Sequence, residues 1–92
     1  MKFDVNQIKV VDLNGDTQPV DVPKALGNVI YSFSRSIEWI EPSKAIYAGE
    51  VVELSEEQIR GIQVLMSQPY VSLLTMVKEA ILIYINEILK NK

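Results

Sequence analysis

The chain has 92 residues, nine Lys and Arg against twelve Asp and Glu, a net charge of −3 and 48% apolar residues. A chain of this size can bury one core but not two, so we expect a single domain over residues 1–92. The acidic balance argues against a phosphate-binding surface. Because His and Cys are both absent, the commonest general base, disulfides and almost every zinc or iron site are excluded.

No targeting or membrane segment is predicted. Residues 1–5 lack the apolar run of a secretory signal. The longest uncharged stretch, residues 61–77, is interrupted by polar side chains, and the most apolar run, residues 80–85, is too short to cross a bilayer. We therefore expect a cytoplasmic protein that has no membrane partner.

Residues 1–22 are predicted to form a β-hairpin, because Asn14-Gly15 is a strong signal for a tight turn. A two-residue loop would mix polar and apolar side chains on both faces of the hairpin. A three-residue loop over residues 14–16 separates them and requires Asp16 to adopt a left-handed backbone. The pairs that this loop predicts are Ile8 with Val22, Val10 with Val20, and Lys9 with Asp21.

A helix is predicted over residues 23–35, with Pro23 in its first turn and Asp21 as its cap. The apolar side chains that recur at helical spacing are Leu26, Val29, Ile30, Phe33, Ile37 and Ile40. Residues 31–37 also alternate with period two, as a strand would. Helix and strand both remain open for that segment.

Three further elements are predicted before the last helix. Residues 41–49 are typical of a short helix that a glycine ends, and residues 50–54 are a candidate third strand. Ser55 and Gln58 fit a capping box, in which each side chain accepts a hydrogen bond from the backbone N–H of the other. The helix that they begin is expected to end just before Pro69.

The last helix is predicted over residues 69–90 and carries two apolar seams. The first seam has an unbroken 4-3-4-3-4 spacing and consists of Tyr70, Leu74, Val77, Ile81, Tyr84 and Ile88. The second seam occupies only the C-terminal half and consists of Leu82, Ile85 and Leu89, with Ile83 beside it on the expected wet face. Either the rest of the chain covers this second seam or another chain does.

We expect another chain to cover it, because small cores commonly complete themselves by oligomerising. Apolar side chains left in water would form a patch that soluble monomers usually avoid. The expected interface residues are Leu82, Ile83, Ile85 and Leu89, in a symmetric homodimer or a larger homo-oligomer.

No motif of the chain is diagnostic of catalysis or of metal binding. Residues 12–16 resemble the start of a calcium loop, but Thr17 and Pro23 stand where that loop needs Gly and Glu. The acidic pair at residues 56–57 is explained by the start of a helix, which favours negative charge. Trp39 is interpreted as closing the core, with an interface anchor as the alternative. We therefore expect no catalytic, cofactor-binding or metal-ligating residue.

Four segments of the chain carry a resemblance to a known group of proteins: residues 26–31, 43–49, 51–57 and the helix that contains residues 78–81. They resemble short, mostly uncharacterised accessory proteins that bacteriophages and prophages encode. The resemblance implies an accessory protein of phage or mobile-element origin, and it implies no catalytic residues.

These observations together predict an α+β fold. An N-terminal β-hairpin, with or without the third strand, is expected to pack on three or four helices, the last of them a long C-terminal helix. The expected function is non-enzymatic protein–protein interaction, or a structural accessory role, as a homo-oligomer without cofactors. We expect the protein to bind no nucleic acid.

Two alternative functions remain open. The helices at residues 55–68 and 69–90 could form a helix-turn-helix regulator that binds nucleic acid, although the apolar side chains of the second helix read no base edges. An enzyme would depend on Tyr, Lys or carboxylate side chains alone. A concave pocket that contains Tyr31, Lys44 or Tyr47 would favour it.

Overall fold

Four α-helices and a two-stranded antiparallel sheet make up residues 1–91, the part of the chain that the computed structural model describes. The elements in chain order are β1 (Lys2–Phe3), α1 (Val22–Phe33), α2 (Ile40–Tyr47), β2 (Val52–Glu53), α3 (Glu56–Met66) and α4 (Thr75–Lys90). Short 3₁₀ turns at Val5–Gln7 and Ile37–Trp39 precede α1 and α2. The expected α+β fold with a C-terminal helix is confirmed.

The sheet joins the N-terminus to the segment before α3. Lys2 lies opposite Glu53, and Phe3 lies opposite Val52. Phe3 is buried while Lys2 is exposed, which is the alternation of a strand with one face on the core. The segment predicted as a third strand therefore supplies the second strand of this sheet, and its partner is the N-terminus instead of a hairpin.

The predicted hairpin is reduced to a short turn. The Gly15 N–H donates to the Asp12 carbonyl, and the Asp12 N–H donates to the Asp16 carbonyl, both at 3.0 Å. The loop has three residues, as expected, but it spans residues 13–15 and not 14–16. Gly15 adopts the left-handed backbone, with φ of 87°, because a residue without a Cβ adopts it without the steric cost that Asp16 would meet.

One β-bridge follows this loop and joins Val11 to Thr17. The predicted register is therefore wrong by two positions, and so are the pairs expected between residues 8–10 and 20–22. Most apolar members of those pairs are nonetheless buried in the common core: Ile8, Val10 and Val22. The alternation of apolar residues predicted their burial correctly but not their partners.

α1 begins as predicted and ends earlier. The Asp21 carboxylate accepts the Lys24 N–H at 3.2 Å, which confirms the predicted cap. The helix continues through Phe33, so only the first three residues of the ambiguous segment 31–37 are helical. Ile37, the last residue of that ambiguous segment, begins the 3₁₀ turn before α2.

Gly27 decides how closely α1 approaches α2. A Cβ placed on Gly27 would lie 2.7 Å from the Tyr47 Cβ and 2.8 Å from the Tyr47 backbone. Because backbone atoms cannot move aside as a side-chain tip can, glycine is the residue that this crossing accommodates.

Two helix-boundary predictions in the middle of the chain are confirmed. Gly49 follows α2 with a left-handed backbone, φ of 79°, as glycine does after many helices. The Ser55 hydroxyl accepts the Gln58 N–H at 3.1 Å, and the Gln58 side chain accepts the Ser55 N–H at 3.0 Å. This reciprocal capping box begins α3.

α4 begins at Thr75 and not at Pro69, so the predicted helix is six residues too long. The connection before it buries Val71, which is only 2% exposed. The free energy gained by burying the Val71 side chain is larger than the small local preference of this segment for helix, so the segment stays irregular. Tyr70 and Leu74, which were expected to begin the first seam, precede the helix and are 59% and 63% exposed.

The core gathers side chains from all four helices and from the N-terminal segment. α4 contributes Val77, Ala80, Ile81 and Ile85, and β1 contributes Phe3. Within residues 1–91, no helix has the length and the hydropathy that are needed to cross a membrane.

Candidate functional site

The four residues predicted at an interface lie at different depths on α4. Ile85 is fully buried, which corrects the expectation for this residue: it belongs to the core of the single chain and offers no surface to a second one. Leu82 and Leu89 are half-buried against the same core. Ile83 is 54% exposed. Leu82, Ile83 and Leu89 therefore stay predicted contact residues.

The burial of Ile85 follows from how α4 packs. Val77, Ile81 and Ile85 are spaced by four residues and form one row, and all three are buried. Rows at this spacing are the ridges by which helices of globular proteins commonly pack. The buried row thus includes Ile85. From its spacing in the sequence, Ile85 was predicted to belong to the second seam.

Four apolar side chains are exposed on α1, on α2 and on the turn between them: Tyr31 (60% exposed), Ile37 (85%), Ile40 (42%) and Tyr47 (44%). Two clefts share Tyr31: one also contains Lys44 and Tyr47, and the other contains Ile37 and Ile40. Because Tyr31 lines both clefts, these side chains form one continuous surface, which we call the α1–α2 face.

The local sequence explains why Ile37 faces solvent. Its spacing continues the apolar stripe of α1, but α1 ends at Phe33 and Ile37 begins the following 3₁₀ turn. Ser36 caps this turn by accepting the Glu38 N–H at 3.4 Å. Trp39 is half-buried and packs on the core, as predicted, while it also lines the cleft that contains Ile37. Trp39 therefore anchors the turn that presents Ile37.

Charges of both signs accompany the α1–α2 face. Lys44 and Arg35 line its two clefts, and Glu38 and Glu41 follow Ile37 and Ile40 directly in the chain; all four residues are exposed. Within residues 1–91, none of these four side chains takes part in an ion pair or a hydrogen bond. All four are therefore available to a partner.

Tyr31, Lys44 and Tyr47 do meet around one cleft, the arrangement that would favour an enzyme. The residues that line this tyrosine cleft are Gly27, Asn28, Tyr31, Ser43, Lys44 and Tyr47, and its volume is about 250 Å³. Small-molecule sites commonly have roughly 300–1,000 Å³. In the described part of the chain no hydrogen bond joins the two tyrosines and the lysine, whereas an activated nucleophile needs a base in hydrogen-bond contact. The cleft is suited to accept an apolar group.

Two of the acidic side chains considered as metal ligands, Asp12 and Glu56, have structural partners. The Asp12 carboxylate accepts the N–H groups of Asn14 at 2.9 Å and Asp16 at 3.0 Å, and so closes its own turn. Glu56 pairs with Arg60 at 3.0 Å along α3. Among residues 1–91, no three His, Cys, Asp or Glu side chains lie together as possible metal ligands.

The spacing of α3 and α4 differs from that of a helix-turn-helix motif. The turn of that motif has about three or four residues, whereas eight residues, 67–74, separate α3 from α4. Leu73 and Leu74 lie in this connection and not on a recognition helix. The geometry therefore gives the nucleic-acid alternative no support.

The sequence indicates three residues of the α1–α2 face as candidate pocket residues: Tyr31, Lys44 and Tyr47. It does not indicate Ile37 and Ile40 as exposed members of the face. Both isoleucines continue the helical spacing of α1, which is why they were assigned to its apolar stripe. The signal that could have found them is the end of that helix. Apolar residues that continue a stripe beyond the last helical turn no longer follow its buried face.

No protein-family model, curated protein or solved structure matches the chain. Its function is therefore inferred from the chemistry of the α1–α2 face, which combines exposed aromatic and aliphatic side chains, a small cleft and balanced charges.

Proposed function

We propose that the protein is a non-enzymatic protein–protein interaction or structural accessory protein, and that it acts as a homo-oligomer through the α1–α2 face. The observation that carries this proposal is the exposure of Tyr31, Ile37, Ile40 and Tyr47 on one continuous surface. Together they expose roughly 500 Å² of side chain, which is within the range of functional apolar patches on monomeric proteins. Tyrosine is enriched in interfaces because it offers a large contact area at a low entropic cost.

Two further features favour a protein partner. The chain has a net charge of −3, and the two cations of the face are matched by two anions, so a phosphate backbone would be repelled as much as attracted. The tyrosine cleft lacks the hydrogen-bonded pair of nucleophile and base that covalent catalysis uses. A surface that combines exposed aromatic and aliphatic side chains with charged ones is typical of protein interfaces.

The resemblance to phage- and prophage-encoded proteins supports a narrower form of this proposal. In that form the protein is an accessory component of a phage-derived or mobile-element-derived system and works in the cytoplasm. Leu82, Ile83 and Leu89 on α4 are a second, smaller surface that the same homo-oligomer could use.

Sedimentation of the purified protein over a range of micromolar concentrations tests the proposal. We expect the wild type to sediment as a dimer or a larger oligomer. Ile37→Glu should shift it to the monomer while circular dichroism still shows a folded chain, because Ile37 is 85% exposed and contributes little to the core. Leu13→Glu is the matched control, since Leu13 is a fully exposed leucine on the turn at residues 13–15, lines neither cleft of the face, and its substitution changes the charge equally.

The sedimentation results test homo-oligomerisation and distinguish the α1–α2 face from the surface on α4. A wild type that sediments as a monomer at every concentration would overturn homo-oligomerisation. If Ile83→Glu gives the monomer while Ile37→Glu leaves the oligomer intact, the contact surface is on α4 and its assignment to the α1–α2 face is wrong. If Leu13→Glu dissociates the oligomer as well as Ile37→Glu does, the effect is one of added charge and not of a specific surface.

A further inference from the structure

We infer that the partner of the α1–α2 face is a second copy of this chain, placed by a twofold axis so that Ile37 of each copy enters the tyrosine cleft of the other. This inference rests on the proposed function and goes beyond it by naming how the two copies are arranged. It follows from three properties of the face: a protruding apolar side chain, a cleft of matching size, and charges that complement themselves.

Ile37 is exposed on an ordered turn, from which it can enter the cleft of a second copy. It is the most exposed side chain of the face, and it begins a 3₁₀ turn whose backbone is closed by the Trp39 N–H donating to the Ser36 carbonyl at 3.1 Å. Trp39 packs on the core directly behind this turn. Because the turn is already ordered, inserting Ile37 into a partner costs little conformational entropy.

The tyrosine cleft offers a site of suitable size and polarity. Its volume is about 250 Å³, and a cavity of roughly 150 Å³ already accepts an apolar group as large as benzene. Gly27, on its lining, packs closely against the Tyr47 backbone. Ser43, also on its lining, is buried and donates its hydroxyl to the Ile40 carbonyl at 3.0 Å, so it presents no unpaired donor to an entering aliphatic group.

The protruding side chain and the cleft lie side by side on one face, since Tyr31 lines both the tyrosine cleft and the cleft that contains Ile37. A twofold axis between them lets each copy give one isoleucine and receive one. Such self-complementary contacts are the commonest form of homodimer.

The charges favour a second copy over a partner of one sign. The side chains of Arg35 and Lys44 have no ion-pair or hydrogen-bond partner within residues 1–91, and neither do those of Glu38 and Glu41. A basic partner would satisfy only the anions and an acidic partner only the cations. A second copy related by a twofold axis offers charges of both signs.

The size of the face fits a dimer. The four apolar side chains expose roughly 500 Å², which is a large part of the about 800 Å² that each partner of a standard interface buries.

Disulfide trapping tests this arrangement, because the chain contains no Cys and each introduced thiol is therefore unique. Ile37→Cys is mixed with Asn28→Cys, since Asn28 is exposed and lines the tyrosine cleft. A mild oxidant should join the two variants to each other several-fold more than it joins Ile37→Cys to Leu13→Cys, because a disulfide forms only where the two Cα atoms approach within about 7 Å. Sedimentation of the wild type is measured under the same conditions.

The outcomes separate this inference from the proposed function. If the wild type associates but position 37 is trapped with position 28 no more than with position 13, the twofold arrangement is wrong while self-association stands. If the wild type does not associate, both fail. A second test reverses charge: Lys44→Glu and Glu41→Lys should each weaken self-association, and mixing the two variants should restore it as a heterodimer. Failure of the mixture to associate would overturn the charge complementarity.

Discussion

The backbone N–H of Asp4 donates to the hydroxyl of Tyr84 at 2.7 Å, which joins two residues eighty positions apart. The ring of Phe3 meets the Tyr84 ring edge-on, with centroids 5.2 Å apart. Phe3 lies on β1 and Tyr84 lies on α4. This contact therefore holds the N-terminal strand against the last helix.

Tyr84→Phe keeps the ring contact and removes the acceptor of the Asp4 N–H. We expect it to lower the free energy of unfolding by about 1–2 kcal/mol, since a part-buried donor loses its partner. Urea denaturation measures this change. Tyr47→Phe is the matched control, because the Tyr47 side chain lies at the surface; an equal loss in both variants would contradict the role assigned to the Tyr84 hydroxyl.

The same hydroxyl predicts a loss of stability at alkaline pH. Burial raises the pKa of Tyr84; the hydrogen bond from the Asp4 backbone opposes this shift, and the charge of Asp4 adds to it. The folded chain thus keeps the proton at a pH where the unfolded chain releases it, near pH 10. The contribution is fully present below about pH 10 and is lost as the pH rises through the folded pKa. The urea midpoint should fall more steeply with pH in the wild type than in Tyr84→Phe; parallel curves would contradict this.

The two helical glycines Gly27 and Gly61 should respond oppositely to alanine. Gly27→Ala should destabilise the protein by about 1–3 kcal/mol, because the new Cβ would overlap Tyr47, whose backbone lies 2.8 Å away. Gly61→Ala should stabilise it by about 0.5–1 kcal/mol, since the nearest atom, Cζ2 of Trp39, is 3.8 Å away and alanine favours helix. Thermal melts measure both. A stable Gly27→Ala would show that α1 and α2 are not so closely packed.

Ile85→Glu and Ile83→Glu separate the core side of α4 from its surface side. Ile85→Glu should unfold the protein, because a carboxylate without a partner in the core costs about 4 kcal/mol or more. Ile83→Glu should change stability by less than about 0.5 kcal/mol, as surface substitutions usually do. Circular dichroism measures both. If Ile85→Glu folds and only loses association, Ile85 is an interface residue, as the sequence alone predicts.

Calcium should not raise the melting temperature at micromolar concentration. The Asp12 carboxylate is occupied by the N–H groups of Asn14 and Asp16 and by the side chain of Gln18 at 2.9 Å, and the later ligands of a calcium loop are missing. A rise of several degrees would reveal a site. Asp12→Ala provides the comparison, since it should abolish any rise that depends on this turn.

Contacts within a few residues were predictable from the sequence. Asp21, Ser55 and Gln58 cap their helices because each partner lies three residues away, so no distant part of the chain takes part. Gly49 adopts a left-handed backbone for an equally local reason, the lack of a Cβ. In the turn at residues 13–15 the same conformation was predicted for Asp16, but Gly15 adopts it. The α+β class and the burial of Ile8, Val10 and Val22 follow from the pattern of apolar residues alone.

The candidate site was only partly predictable. Tyr31, Lys44 and Tyr47 were recognisable as residues that could line a pocket, but their meeting depends on the close crossing of α1 and α2 at Gly27. Ile37 became part of the face because α1 ends four residues before it. The helical spacing of apolar residues continues past the last residue of α1, so it does not show where the helix ends. Beyond that point, the sequence alone cannot distinguish a buried isoleucine from an exposed one.

The sequence by itself determined the caps, the glycine that ends α2, the fold class and most of the buried residues. The tertiary structure decided the partner of β1, the start of α4 and the depth of Ile85. Each of these depends on contacts between residues far apart in the chain, such as Asp4 and Tyr84. Burying one side chain such as Val71 or Ile85 contributes about 1.5–3 kcal/mol, whereas local helix preferences differ by only about 0.7 kcal/mol or less for ordinary residues, and so packing overrides them.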